Sequence, residues 1–386
     1  MQAILGIDRV KRDHLPGRIG LVSHAPAVDQ HLHTTLEHLE GLGVQVSALF
    51  APEHGLSGAV SAGQAFFSDL ESRSIPIYSL YGETYRPTEE MLAGLDRLVI
   101  DLQDIGSRYY TYVSTMYHCL EAAAASGLPA IVLDRPNPLG GIAVEGGGIE
   151  PGLRSFVGIQ PIPSRHGLTM GELAHLFRDW AGLDLDLTVI TMDGWQRSYF
   201  WPDTGLPWVP PTPNSNSFEM ALCYPGTCLF EGTNLSEGRG TALPFRWIGA
   251  PWLDPEAVLD QVSRVDLPGT ALRPIEFTPS GNKHGFHDCQ GLEVHPVDPR
   301  VFRPLRLGLT LLAAICRQHP LDFAWRDTGG EFFFDRLSGG RWVRETIDDW
   351  AGSPEPLEHL VEQVEARWET ERAGFMACRE KYFLYR

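Results

Sequence analysis

The sequence predicts an α/β fold in which a Rossmann-like, doubly wound parallel sheet is followed by a second, smaller α+β domain. Three observations carry that reading. Short β-branched apolar runs alternate with helical stretches through the first third of the chain, the pattern of parallel strands covered on both faces. Four of those runs break at once into polar residues, as strand tips do where an open sheet meets a ligand crevice. The 386 residues also exceed one ordinary domain, so a division into residues 1–150 (the first part extending as far as about 245) and 151–386 is expected.

Residues 18–23 read as the first strand, ending at His24 and Pro26. A helix from about Thr34 to Leu42 leads to a second strand, Val44–Phe50, which breaks into Ala51-Pro52-Glu53-His54-Gly55. Ile77–Leu80 reads as a third. Pro87–Ala93 opens a helix, with Thr88 placed to cap it and Glu89 and Glu90 near its positive end. The next strand, Leu98–Ile100, organises the rest. It runs straight into Asp101, Gln103, Asp104 and Arg108, trailed by Tyr109, Tyr110 and Tyr112, more charge than a core strand can use. Thr115–Ser126 is its return helix, stopped by Gly127, and Pro129–Leu133 is a fifth strand that delivers Asp134, Arg135 and Asn137.

Past Gly140 the texture changes. A glycine-crowded loop at 140–148 carries Glu145, and a further loop carries Arg165 and His166. Met170–Trp180 has apolar residues at helical spacing, Leu187–Ile190 reads as a strand, and a proline-rich turn holds Asn214. Residues 224–241 read as loop, with Glu231, Asn234, Glu237 and Arg239 within nine positions. From about 255 onward the sequence shows strands near Ile275–Thr278 and Leu292–Val297, helices near 305–317 and 357–372, and little concentrated chemistry.

Composition removes several function classes. A net charge of −18 without any basic run argues against a nucleic-acid or anionic-membrane partner. Six cysteines are too sparse for a disulfide framework, and Cys223 and Cys228 are expected as buried free thiols. There is no charged-then-apolar leader and no apolar run of about 18 residues, so a cytoplasmic chain is expected. The sheet lacks both Gly-x-Gly-x-x-Gly and a Walker loop, which demotes dinucleotides and nucleoside triphosphates. His24, His31 and His33, like the group His284, His287, Asp288 and Cys289, fit no familiar metal spacing, and no Gly-x-Ser-x-Gly elbow occurs. No metal and no organic cofactor are expected.

What remains is carboxylates, arginines, asparagines and aromatics in loops, an inventory that suits sugars: paired hydroxyls meet Asp, Asn and Arg, and aromatic faces cover a pyranose ring. Breaking a glycosidic bond needs one carboxyl as acid and a second as base or nucleophile. Glu53 and Glu145 are the favoured pair, although either could serve as a cap or in a loop ion pair instead. The same arginines and aromatics would equally suit a non-catalytic sugar-binding module.

Longer blocks then identify a family. APEHG at 51–55, SLYG at 79–82, IDLQDIGSRYYTYVSTM at 100–116, VLDRPNPLGG at 132–141, PIPSRHGLTMGELA at 161–174, YPGTCLFEGTNLSEGRGT at 224–241, GAPW at 249–252 and YFLYR at 382–386 resemble the NamZ-type exo-β-N-acetylmuramidases, formerly a domain of unknown function. The resemblance runs from about residue 18 to the C-terminus. It implies release of N-acetylmuramic acid from the non-reducing ends of peptidoglycan fragments, without metal or organic cofactor, in a cleft where a Rossmann-like domain meets a second one. Hydrolysis of another amino sugar is the alternative within the same chemistry. The family's APEHG glutamate maps onto Glu53, and its partner onto Glu145, with Glu121 and Glu231 in reserve. His54, Asp101, Gln103, Asp104, Arg108, Tyr110, Asp134, Arg135, Asn137, Arg165, His166, Asn214, Glu231, Asn234, Glu237 and Arg239 are expected around the sugar, with Arg135, Arg165 or Arg239 on its lactyl carboxylate. Two departures stand out: Ser23-His24 where relatives often have Thr-Asn, expected at the site rim, and Thr212-Pro213-Asn214-Ser215-Asn216 where they often have Ser-Pro-Asn-Met-Pro. Relatives are often exported; the missing leader would fit recycling of imported fragments.

Overall fold

A computed structural model describes residues 2–57 and 75–386. Among these, six parallel strands form one sheet: β1 (Arg18–Ser23), β2 (Gln45–Ala51), β3 (Ile77–Ser79), β4 (Arg97–Asp101), β5 (Ala130–Leu133) and β6 (Leu187–Ile190). Their order is β3-β2-β1-β4-β5-β6, so the chain turns back on itself between β1 and β4. That reversal opens the crevice where doubly wound sheets bind ligands.

Strand side chains alternate between faces, and both faces are buried. Val22, Phe50, Ile100 and Val132 join one apolar cluster, while Leu21, Leu49, Val99 and Ile131 join another on the opposite side. This is why the strands read as continuous apolar runs rather than as alternating ones. Thr88 caps its helix as expected, and Thr34 caps the earlier one, each accepting a backbone N–H three residues on.

The second sheet has three antiparallel strands in the order β7-β9-β8: β7 (Trp247–Ala250), β8 (Thr270–Phe277) and β9 (Cys289–Pro296). The helices Phe218–Thr227 and Pro255–Val262 back it, and a buried helix, Pro304–Gln318, packs on both of them. Part of the 224–241 block is therefore helical, where the sequence reads as loop. Pro225 and Gly226 look like breakers, yet here they shape a contact. Gly226 faces Gly308 and the Pro304 carbonyl so closely that a Cβ would sit 1.8 Å from that oxygen. The strand Trp247–Ala250 and the helix Arg341–Ala351 had no sequence expectation. Cys223 and Cys228 are buried free thiols, and no described helix is long and apolar enough to cross a membrane.

Candidate active site

The sheet's C-terminal edge and the second sheet's loops enclose a cleft of about 860 Å³. Strand β2 ends at Ala51 and turns at once, Gly55 N–H donating to the Pro52 carbonyl at 3.0 Å. The turn puts His54 at φ +73°, a conformation that costs a non-glycine residue energy, and sets both Glu53 and His54 on the cleft wall. The loop after β4 supplies what holds Glu53: Thr111 Oγ1 donates to Glu53 Oε2 at 2.8 Å, and Tyr112 Oη donates to its backbone carbonyl at 3.4 Å. The Tyr81 hydroxyl is a further partner, and its phenol is pushed well up by burial and by the Glu53 charge. The Thr111 and Tyr81 hydroxyls are groups that can either donate or accept a hydrogen bond.

Across the cleft, residues 231–239 build a charged cluster. Arg239 Nη2 donates to Glu231 Oε1 at 2.6 Å, and its Nε lies 3.2 Å from Glu237 Oε1. Burial would lower this guanidinium, but the two carboxylates outweigh it and push it up. Lys283 Nζ completes the group, donating to Glu237 Oε2 at 3.0 Å and to the Phe230 and Leu235 carbonyls at 2.8 and 2.9 Å. Glu231 is the more open of the two glutamates, at 19% side-chain exposure against 4% for Glu237. Asn234 fastens the next loop, its Nδ2 donating to the Asp322 carbonyl and its Oδ1 accepting from Ala324 N–H. Aromatic rings form the remaining wall: Tyr81, Tyr85 and Phe156 lie within 6 Å of one another by centroid, with Tyr110, Tyr224 and Phe245 deeper in.

Of the residues expected at the sugar, Glu53, His54, Tyr110, Asn214, Glu231, Asn234, Glu237 and Arg239 line this cleft. The others do not, and each has a structural occupation. Glu145, the expected second carboxyl, pairs with Arg165 at 2.8 Å, exchanges backbone hydrogen bonds with it, and accepts the Leu305 N–H at the edge of a helix. Asp101 is fully buried, accepting from Arg135 Nε and Nη2 at 2.5 and 2.8 Å and from Thr35 Oγ1 at 2.6 Å. Arg135 and Arg165 are thus committed to protein carboxylates. Arg108 is buried and donates to the carbonyls of Gly147, Gly148, Ile162 and Leu337, tying its own loop to two others and to the helix Phe333–Ser338. Gln103 bonds the Asp104 and Pro136 carbonyls, Asn137 bridges Leu168 and Leu139, and buried His166 accepts from Leu168 N–H and lies 3.6 Å from Asp104. Asp134 accepts from Thr169, from Gly171 N–H and from Tyr385 Oη. Asp104 sits under the floor, where its charge reaches Tyr110 and Tyr112, the same phenols that feel Glu53.

His24 departs from expectation in the same direction. It is buried beneath the site rather than at the rim, edge-on to Tyr112 at 4.8 Å, and its Nε2 accepts the Gln103 N–H. Burial and the nearby Arg135 charge hold its pKa at about 3, so the ring is neutral. Sequence reading passed over Thr111, Tyr81, Lys283 and Arg326, all of which reach the cleft. Thr111 and Tyr81 lay in blocks already singled out; Lys283 and Arg326 stand in stretches with no local pattern.

Comparison with known proteins adds an independent line. Residues 19–219 match the family profile described as "Exo-beta-N-acetylmuramidase NamZ, N-terminal", and residues 222–385 match its C-terminal counterpart. The chain is 40% identical to the peptidoglycan beta-N-acetylmuramidase NamZ of Bacillus subtilis (strain 168) over 98% of its own length and 91% of that protein. Crystal structures of two DUF1343 family proteins from Bacteroides fragilis NCTC 9343 superpose over the whole chain and 99% of theirs. Their TM-scores are 0.89 and 0.76, at 34% and 28% identity.

Proposed function

Since the chain belongs to the exo-β-N-acetylmuramidase NamZ family, we propose that the cleft around Glu53 is the place where it hydrolyses the glycosidic bond of a terminal N-acetylmuramoyl residue of peptidoglycan. The protein is a glycoside hydrolase acting on peptidoglycan; the roles of its residues and its exo direction are our reading. The observation that carries the reading is Glu53 itself, presented on a cleft wall by a strained turn and held there by hydroxyls.

Glycoside cleavage needs a proton on the leaving oxygen and negative charge near the cationic ring carbon of the transition state. Glu53 supplies the proton. Glu231 supplies the second carboxylate: it lines the cleft, Arg239 fixes its orientation, and it is more open than Glu237, which is held by two cations. The rings of Tyr81, Tyr85 and Phe156 offer apolar faces to a sugar. The described residues up to 190 contribute the sheet edge that carries Glu53, and the later residues contribute the Glu231 side, so we place the active site at the meeting of two domains.

The test is release of nitrophenol from a β-N-acetylmuramic acid glycoside, beside N-acetylglucosaminide and galactosaminide controls. Glu53→Gln should cut turnover by about 10²–10⁴-fold. Near wild-type turnover in that variant would overturn the assignment. Calorimetric binding without cleavage of any amino-sugar glycoside would favour a binding protein instead. Proton NMR of the first anomer released distinguishes retention from inversion.

A further inference from the structure

We propose that Arg326 is the residue that recognises the lactyl carboxylate of the substrate and so selects muramic acid over sugars lacking that group. The inference rests on the function proposed above and adds a specificity-determining residue to it.

Donor availability singles this residue out. Among the described residues, Arg239, Lys283 and Arg326 are the lysine and arginine side chains that line the cleft. Lys283 has three N–H bonds and three acceptors within 3.0 Å, so its ammonium is saturated. Arg239 is divided between Glu231 and Glu237 and lies over Phe245 at 4.8 Å. Arg326 has no carboxylate partner among the described residues, and its guanidinium lies 5.1 Å from the Phe333 ring, which also lines the cleft.

Its backbone is nonetheless held firmly. Arg326 N–H donates to the Gly232 carbonyl at 2.8 Å, and its own carbonyl accepts from Phe333 N–H at 3.1 Å. The neighbouring Trp325 bridges to Thr233, and Asn234 clasps the preceding residues through Asp322 and Ala324. A cation is thus fixed at its base and open at its tip, on the same segment that positions Glu231. An arginine fork can then take a carboxylate through two parallel N–H bonds.

Charge argues the same way. The molecule carries −18, which repels an anionic substrate, whereas the cleft lining holds three glutamates and three lysine or arginine cations. Arg239 and Lys283 are taken by Glu231 and Glu237. Arg326 is the cation of this lining without a carboxylate partner among the described residues, and so the one open to the incoming carboxylate.

The experiment compares wild type, Arg326→Ala and Arg326→Lys on the nitrophenyl glycoside of N-acetylmuramic acid. Binding of free N-acetylmuramic acid, its lactyl amide and N-acetylglucosamine is measured by calorimetry. Expected results are a KM raised about tenfold or more in Arg326→Ala with kcat within about twofold, partial recovery in Arg326→Lys, and no change for N-acetylglucosamine. Wild type should bind the lactyl amide about as weakly as Arg326→Ala binds the acid. An unchanged KM and Kd for the acid in Arg326→Ala, or equal losses on acid, amide and N-acetylglucosamine, would overturn the proposal. If wild type cleaves no muramic acid glycoside, the proposed function falls, while the calorimetric comparison still decides for or against Arg326.

Discussion

A carboxylate, an imidazole and a guanidinium show how far residue chemistry alone can be read. Glu53 was legible because a glutamate at a strand tip is poorly placed for a core and well placed for a ligand. Glu145 looked similar, a glutamate in a glycine loop, but its work is to hold Arg165 and the start of the Pro304–Gln318 helix. Nothing local separates the two, because what differs is a partner twenty positions away in one case and hydroxyls from another strand's loop in the other. Replacing Glu145 by Gln should therefore cost stability rather than chemistry: kcat within about threefold of wild type, with thermal unfolding lowered by about 2–4 kcal/mol, as for a broken buried pair. His24 offers a pH test. Its folded pKa of about 3 lies below the ordinary value of 6.5, so the unfolded chain takes up the proton first. Its contribution is intact above about pH 6.5 and is lost as pH falls toward 3, on the order of 3–5 kcal/mol at the acid end. His24→Asn should flatten the acid limb of a plot of thermal midpoint against pH, and an unchanged limb would refute the neutral-ring account.

Elements were read more securely than their partners. Each of the four inner strands of the parallel sheet left an apolar run, since burial on both faces leaves little room for polar positions. The helix Phe218–Thr227 was lost to the sequence because Pro225 and Gly226 carry breaker chemistry, and the approach of a second helix explains the glycine. That approach predicts opposite outcomes for two glycines. Gly226→Ala would drive a methyl into the Pro304 carbonyl and should destabilise by about 3 kcal/mol or more. Gly374→Ala lies on the exposed side of the Leu357–Cys378 helix, one turn before its end, with nothing within 4 Å and should stabilise by about 0.5–1 kcal/mol. Chemical denaturation of both variants checks the pair.

At the scale of the whole molecule, the largest apolar cluster runs from Val22 and Ile100 of the parallel sheet to Leu292 of the antiparallel one and on to Tyr382. Shared burial on that scale predicts a single cooperative transition, with near-ultraviolet circular dichroism, fluorescence and activity lost together. Two separated transitions would mean that the core is divisible. The sequence pointed to a two-part α/β architecture and to the sheet edge, but the cleft's far wall depends on which loops the second sheet brings over it. Arg326 and Lys283 could not be found that way, because their neighbours in space are remote in the chain. The same remoteness governs how the first sheet is finished. The Tyr385 hydroxyl that bonds Asp134 at 2.5 Å lies 251 positions downstream of it. A ribosome adding about 5–20 residues per second would reach that tyrosine some 10–50 s after the aspartate, so the nascent sheet must wait with a buried carboxylate short of one partner.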